Sequence, residues 1–149
     1  MKRLILFIMM VLPTIAMAQV PHLTKLTDKY NGIDGVTAMT VNKQMIQMFA
    51  SGDQTMEMVN EIVLLLSEDA TTANNIIADA KKAIKKSKIE ELITHNDDGA
   101  TMTIYTKTKS DKVTDLVVLI ENDSPSGFIT INGEIPMEKL DEVVHIVNK

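Results

Sequence analysis

A chain of 149 residues with 45% apolar content can close one hydrophobic core and has no room for two comfortable domains. Its formal charge is −5 and its one Arg is Arg3, so nucleic acid is excluded as an expected partner: phosphate recognition relies on basic side chains, above all on the planar guanidinium. With no Cys there is no disulfide framework, no thiolate zinc site and no thiol nucleophile.

The first eighteen residues have the layout of a cleavable export signal. Met1-Lys2-Arg3 is a basic start, Leu4 to Ile15 is mostly apolar, and Ala16-Met17-Ala18 offers small residues for a signal peptidase before Gln19. The apolar run is about a dozen residues, where a membrane-spanning helix needs roughly twenty. The expectation is a signal over 1–18, a single domain over 19–149, and a periplasmic or extracellular protein that does not span the membrane after cleavage. Cleavage removes Lys2 and Arg3 and leaves thirteen Lys against twenty acids, a formal charge of −7.

His22 to Tyr30 reads as a brief helix. Val36 to Val41 reads as a strand, and Asn42 can cap a short helix carrying Met45, Ile46, Met48 and Phe49, stopped by Ser51-Gly52-Asp53. Ile62 to Leu66 is an unbroken apolar run whose length suits a strand buried on both faces, with a helix starting near Thr55 as the alternative that would absorb it. The clearest helix runs from Ala70 to Ser87: Ala73, Ile76, Ile77, Ala80, Ala83 and Ile84 form one stripe, with Lys81, Lys82, Lys85 and Lys86 opposite.

An antiparallel meander follows. Ile89 to Thr94 is a strand, Asn96-Asp97-Asp98-Gly99 a turn, and Thr101 to Lys107 an alternating strand with Met102 and Ile104 on one face and Thr101, Thr103 and Tyr105 on the other. Leu116 to Ile120 is wholly apolar and belongs in the centre of the sheet. Asn122 to Gly127 turns, and Phe128 to Ile131 is the next strand. Pro136 opens a last helix whose buried stripe is Met137, Leu140, Val143, Val144 and Val147. The fold class expected is α+β, a mostly antiparallel sheet with helices packed on one face.

Three segments carry a family resemblance: Leu26, Tyr30 and Gly35-Val36-Thr37; Tyr105 followed by Asp115-Leu116-Val117-Val118-Leu119; and Ile129-Thr130-Ile131-Asn132-Gly133-Glu134-Ile135 with Leu140 beyond. In these the chain resembles the exported bacterial proteins of the domain of unknown function 4252 family. The resemblance implies export and a small α+β domain, and carries no activity and no catalytic residue.

Candidate chemistry is sparse. His22, His95 and His145 lack the spacing of a helical metal pair. Ser51 and Ser126 neighbour Gly without a nucleophile-elbow motif. Met45, Met48, Met56 and Met58 lie close together, and thioether sulfur suits Cu(I). Against a copper site, Met fills cores, and Met45 and Met48 fall on the stripe their helix would bury. No cofactor is implied. The leading expectation is a non-enzymatic envelope module that binds another protein or a small ligand, using a sheet face free of helices that bears Thr101, Thr103 and Tyr105. A methionine-based copper binder and a hydrolase of unrecognised type are the alternatives.

Overall fold

The computed structural model describes residues 21–87 and 89–141. The segment read as an export signal, and Val143, Val144, His145 and Val147, lie outside the described residues. In chain order the elements are α1 (Pro21–Tyr30), β1 (Val36–Asn42), α2 (Lys43–Phe49), α3 (Gln54–Glu57), β2 (Val59–Ser67), α4 (Ala70–Lys86), β3 (Glu90–Asp97), β4 (Ala100–Lys109), β5 (Lys112–Glu121), β6 (Ser126–Pro136) and a 3₁₀ turn, Met137–Lys139. The six strands form one antiparallel sheet in the order β1-β2-β6-β5-β4-β3. The expected α+β class is the class observed, and Leu116 to Ile120 lies on a central strand as its apolar run requires.

Helix boundaries follow local chemistry. The Asn42 side chain accepts from Met45 N at 3.0 Å, which starts α2 where the sequence places its cap. Asp69 accepts from Thr72 N and Thr72 Oγ1, each at 2.8 Å, at the head of α4, and these bonds hold its carboxyl below the ordinary carboxylate range. All six residues of the α4 stripe are buried, and Lys85 and Lys86 end the helix at its negative pole. Asp53 caps α3, a single turn too short to produce a periodic signal.

Alternation along the strands gives the sheet two apolar faces. On one, the register Ala38↔Leu65↔Phe128↔Leu119 runs beneath α1 and α4, with Leu23, Ile76 and Ala80 packed over it. On the other, Met39↔Leu64↔Ile129↔Val118↔Ile104↔Ile93 crosses all six strands without a polar residue. Over this second face Ile46 of α2, Met56 and Met58 around α3, and Leu140 beyond the 3₁₀ turn are the described cover. The two long helices thus share one face, and the second face receives short elements.

A line of irregularities crosses three strand pairings, β2 with β6, β6 with β5 and β5 with β4. The register shifts between Val59 and Glu61, between Val113 and Asp115, and between Lys107 and Thr108. At that line β6 passes so close to β2 that a Cβ on Gly133 would sit 2.1 Å from the Met58 carbonyl oxygen, which accepts from Glu134 N at 3.1 Å. At the other end of the same strand pair Gly127 has φ +152°, and a Cβ there would lie 2.0 Å from the Leu65 carbonyl oxygen. Glycine at both positions is what lets these backbones approach.

The last strand is longer than the sequence suggests. β6 runs on through Gly133-Glu134 to Pro136, where the apolar alternation is broken by the bulge. Pro136 therefore closes a strand before the 3₁₀ turn begins, and Met137, expected on a buried stripe, is exposed.

Candidate functional site

The second sheet face is where the described cover runs out. Near the β3–β4 and β5–β6 turns an open groove of about 1180 Å³ lies on it, floored by Ile93, Met102, Ile104 and Ile120 and bounded at one end by Leu140. Its floor is a direct product of strand pairing: Ile93 pairs with Ile104, Ile104 with Val118, and Met102 with Ile120. Leu92 and Ile93 remain 48% and 54% exposed, which is unusual for side chains of that size on a short strand.

The rim is acidic. Asp97 and Asp98 stand at the β3–β4 turn, Asp123 at the β5–β6 turn and Asp141 beyond Leu140, and the groove lining contains no Lys. Asp98 and Gly99 have positive φ, +47° and +89°, the two-residue turn geometry that Asp-Gly favours. The turn chemistry of the sequence therefore puts carboxylates beside an apolar floor. The α4 lysines lie on the opposite side of the sheet, where Lys81 meets Glu121 at 2.6 Å. The α4 lysines thus lie across the sheet from the carboxylates that rim the groove.

Of the residues singled out from sequence as a contact surface, Thr101 is among those that line the groove, and Thr103 and Tyr105 fall elsewhere. Thr103 is buried and Tyr105 half-buried, packed against the core beneath α4, because Thr101, Thr103 and Tyr105 share the face that the long helices cover. Burial pushes the Tyr105 phenol up from its ordinary range. The groove uses the alternate residues of the same strand, Met102 and Ile104. Parity along β4 was legible in the sequence, and which parity the helices cover was not.

The methionines divide. Met45 is exposed and Met48 79% exposed, beside Phe49 at 84%, because Ile46 is the one residue that α2 buries. Met56 and Met58 are half-buried against the second-face core. The expected burial of Met45 and Met48 is therefore corrected: a seven-residue helix lying across a sheet edge buries a single side chain. Among the described residues no group of three His, Cys, Asp or Glu could hold a metal ion. His95 lines the groove and pairs across strands with Met102.

A buried carboxylate sits apart from the groove. Asp115 is 3% exposed, accepts from Thr114 Oγ1 at 3.1 Å, and has its pKa pushed up to about 6 by burial, against partial relief from that hydroxyl and from Lys107. It lies at the line of bulges, where the shifted backbone turns it inward.

Among the described residues no helix is long and apolar enough to cross a membrane. No curated protein and no solved structure matches the chain. The family profile described as a domain of unknown function, DUF4252, matches residues 30–143, from Tyr30 through the whole sheet and past Leu140. The chain belongs to the domain of unknown function 4252 family.

Proposed function

We propose that this protein is an exported, non-enzymatic binding module of the cell envelope that holds its ligand on the groove of the second sheet face. The observation that carries this reading is the unbroken apolar row from Met39 to Ile93, whose β3–β4 end is left uncovered by the described residues and lined by exposed Leu92 and Ile93. Exposed apolar surface on this scale is costly to keep unless something covers it in use. Export rests on the basic and apolar opening and the small residues before Gln19.

The test has two arms. Mass spectrometry of the protein from its native cell gives a first residue of Gln19 in an envelope or secreted fraction. A cytosolic species that retains residues 1–18 overturns the location. A photo-crosslinking amino acid at Ile93 yields an ultraviolet-dependent adduct in intact cells, and the same group at Lys85 on the helix layer does not. No adduct from Ile93, or identical adducts from both positions, overturns the groove.

A second reading has its own observation, the exposure of Met45 and Met48 three residues apart on α2. Exposed thioethers are available to Cu(I). Titration with Cu(I) against a competing chelator tests it: metal uptake that survives Met45→Leu/Met48→Leu/Met56→Leu/Met58→Leu, or no uptake, ends the copper reading.

A further inference from the structure

We propose that the groove and the free edge of β3 together receive an extended, lysine- or arginine-bearing peptide segment of a partner protein, which adds to the sheet as a seventh strand. This rests on the binding-module reading and names the chemistry of what is bound.

Three features converge on β3. Among the described residues it pairs with β4 alone, so one row of backbone N–H and C=O groups faces outward along its length. An unpaired row of this kind is a template for strand addition. All eight of its residues are exposed, including Leu92 and Ile93. Finally, the groove opens beside it on the apolar face, and its volume of about 1180 Å³ exceeds the roughly 300–1,000 Å³ usual for small-molecule pockets. A strand laid along β3 would place alternate side chains over that face, since successive side chains point to opposite sides of a sheet.

Charge selects the occupant. The formal charges on β3 and its turn are Glu90, Glu91, Asp97 and Asp98, with no Lys or Arg. A second copy is disfavoured, because antiparallel self-pairing centred on Ile93 and Thr94 would set Glu90 against Asp97. Like charges directly opposite on paired strands are destabilising. A segment with basic residues at its ends would instead meet Glu90 and Glu91 at one end, and Asp97, Asp98 and Asp123 at the other. Its central apolar residues would flank Ile93, and long ones would lean across β3 towards the Met102–Ile104 floor. Complementary charge also speeds the encounter and fixes which partner docks.

The test is a selection followed by mapping. Random octapeptides, matching β3 in length, are displayed on phage and panned against the processed chain at low salt. Enriched sequences are synthesised and titrated into isotope-labelled protein. The expected outcome is enrichment of net-positive octapeptides with alternating apolar residues, and shifts confined to the β3 amides and the Ile93, Met102 and Ile104 methyls. Asp97→Asn/Asp98→Asn should weaken binding at least ~10-fold, as should a rise in salt from tens to hundreds of millimolar, with the melting temperature unchanged. Enrichment of neutral or acidic peptides, no enrichment, or shifts on the helix layer overturns the proposal. So does a chain ending at Asp141 that binds the peptides at least ~10-fold more tightly, which would show the chain's own last residues occupying the groove. Dimerisation abolished by Ile93→Lys overturns it in favour of a second copy. If the Ile93 crosslinker captures an acidic protein or a lipid, this inference fails and the binding-module reading stands; no adduct at all ends both.

Discussion

Asp115 shows how one residue can set the pH response of the fold. Its folded pKa of about 6 lies above the ordinary value of 3.8, so the folded chain keeps a proton that the unfolded chain releases. Its contribution to stability is therefore fully present below about pH 4 and is lost as pH rises through about 6. Two pKa units correspond to a penalty on the order of 2–3 kcal/mol at neutral pH. Asp115→Asn keeps an acceptor for Thr114 and removes the charge. Urea titrations should show the variant more stable by about 2 kcal/mol at pH 7.5 and nearly equal to the parent at pH 4. The glycines at close backbone approaches work in the other direction. Gly133→Ala drives a methyl into the Met58 carbonyl, which cannot yield without moving β2, and should cost about 3 kcal/mol in the same titration. An alanine at solvent-facing Gly52, whose added Cβ would meet nothing within 4 Å, separates the strain of a left-handed backbone from the collision at Gly133.

Among the elements, α1 is held to α4 by more than apolar contact. Tyr30 donates to Asp79 Oδ2 at 2.6 Å and Lys29 reaches the same oxygen at 2.8 Å. The Lys29 and Tyr30 bonds hold the Asp79 carboxyl below its ordinary range. Lys29 is largely exposed, so its ion pair contributes little, and the bond from the buried Tyr30 hydroxyl matters more. Asp79→Ala should cost about 1 kcal/mol and speed hydrogen exchange in α1 while α4 stays protected. The sequence carried much at this scale. The α4 stripe, the Asn42 cap, the Asp-Gly turn and the central placement of Leu116 to Ile120 each follow from local spacing or turn chemistry. Three features lay outside that reach. The length of β6 is hidden by Gly133-Glu134, which break the alternation. The single-turn α3 is too short for periodicity. The side of the sheet that α1 and α4 cover is a tertiary choice between two apolar faces, and it moved the candidate surface from Thr103 and Tyr105 to Met102 and Ile104.

For the whole molecule, the consequence is a sheet unequally protected from centre to edge. β5 and β6 have strand neighbours on both sides and are largely buried, whereas β3 is an exposed edge. Opening free energies follow such differences in burial and hydrogen bonding. Native-state hydrogen exchange should show the slowest amides at Leu116–Leu119 and Phe128–Ile131, and fast exchange along the outward side of Glu90–Asp97. A bound strand should slow the latter and leave the former unchanged. The charge distribution follows the same layering: the lysines of α4 lie over one face, and the aspartates of the turns ring the other. Long-range attraction of a cationic partner would therefore approach from the side where the apolar floor is open.

The bulge line has a consequence for how this chain can tolerate change in length. Val59 and Ile62 share a face although three residues apart, and so do Val113 and Leu116, because Asn60 and Thr114 each advance the two-residue rhythm by one beat. Each extra residue is a phase correction that keeps both ends of its strand in step with the same core. Removing Thr114 would put the beginning of β5 out of phase, turning Val113 away from its core and swinging Lys112 towards it. That one-residue deletion should leave the chain in inclusion bodies, whereas a deletion in the exposed Lys109–Asp111 turn should leave it soluble.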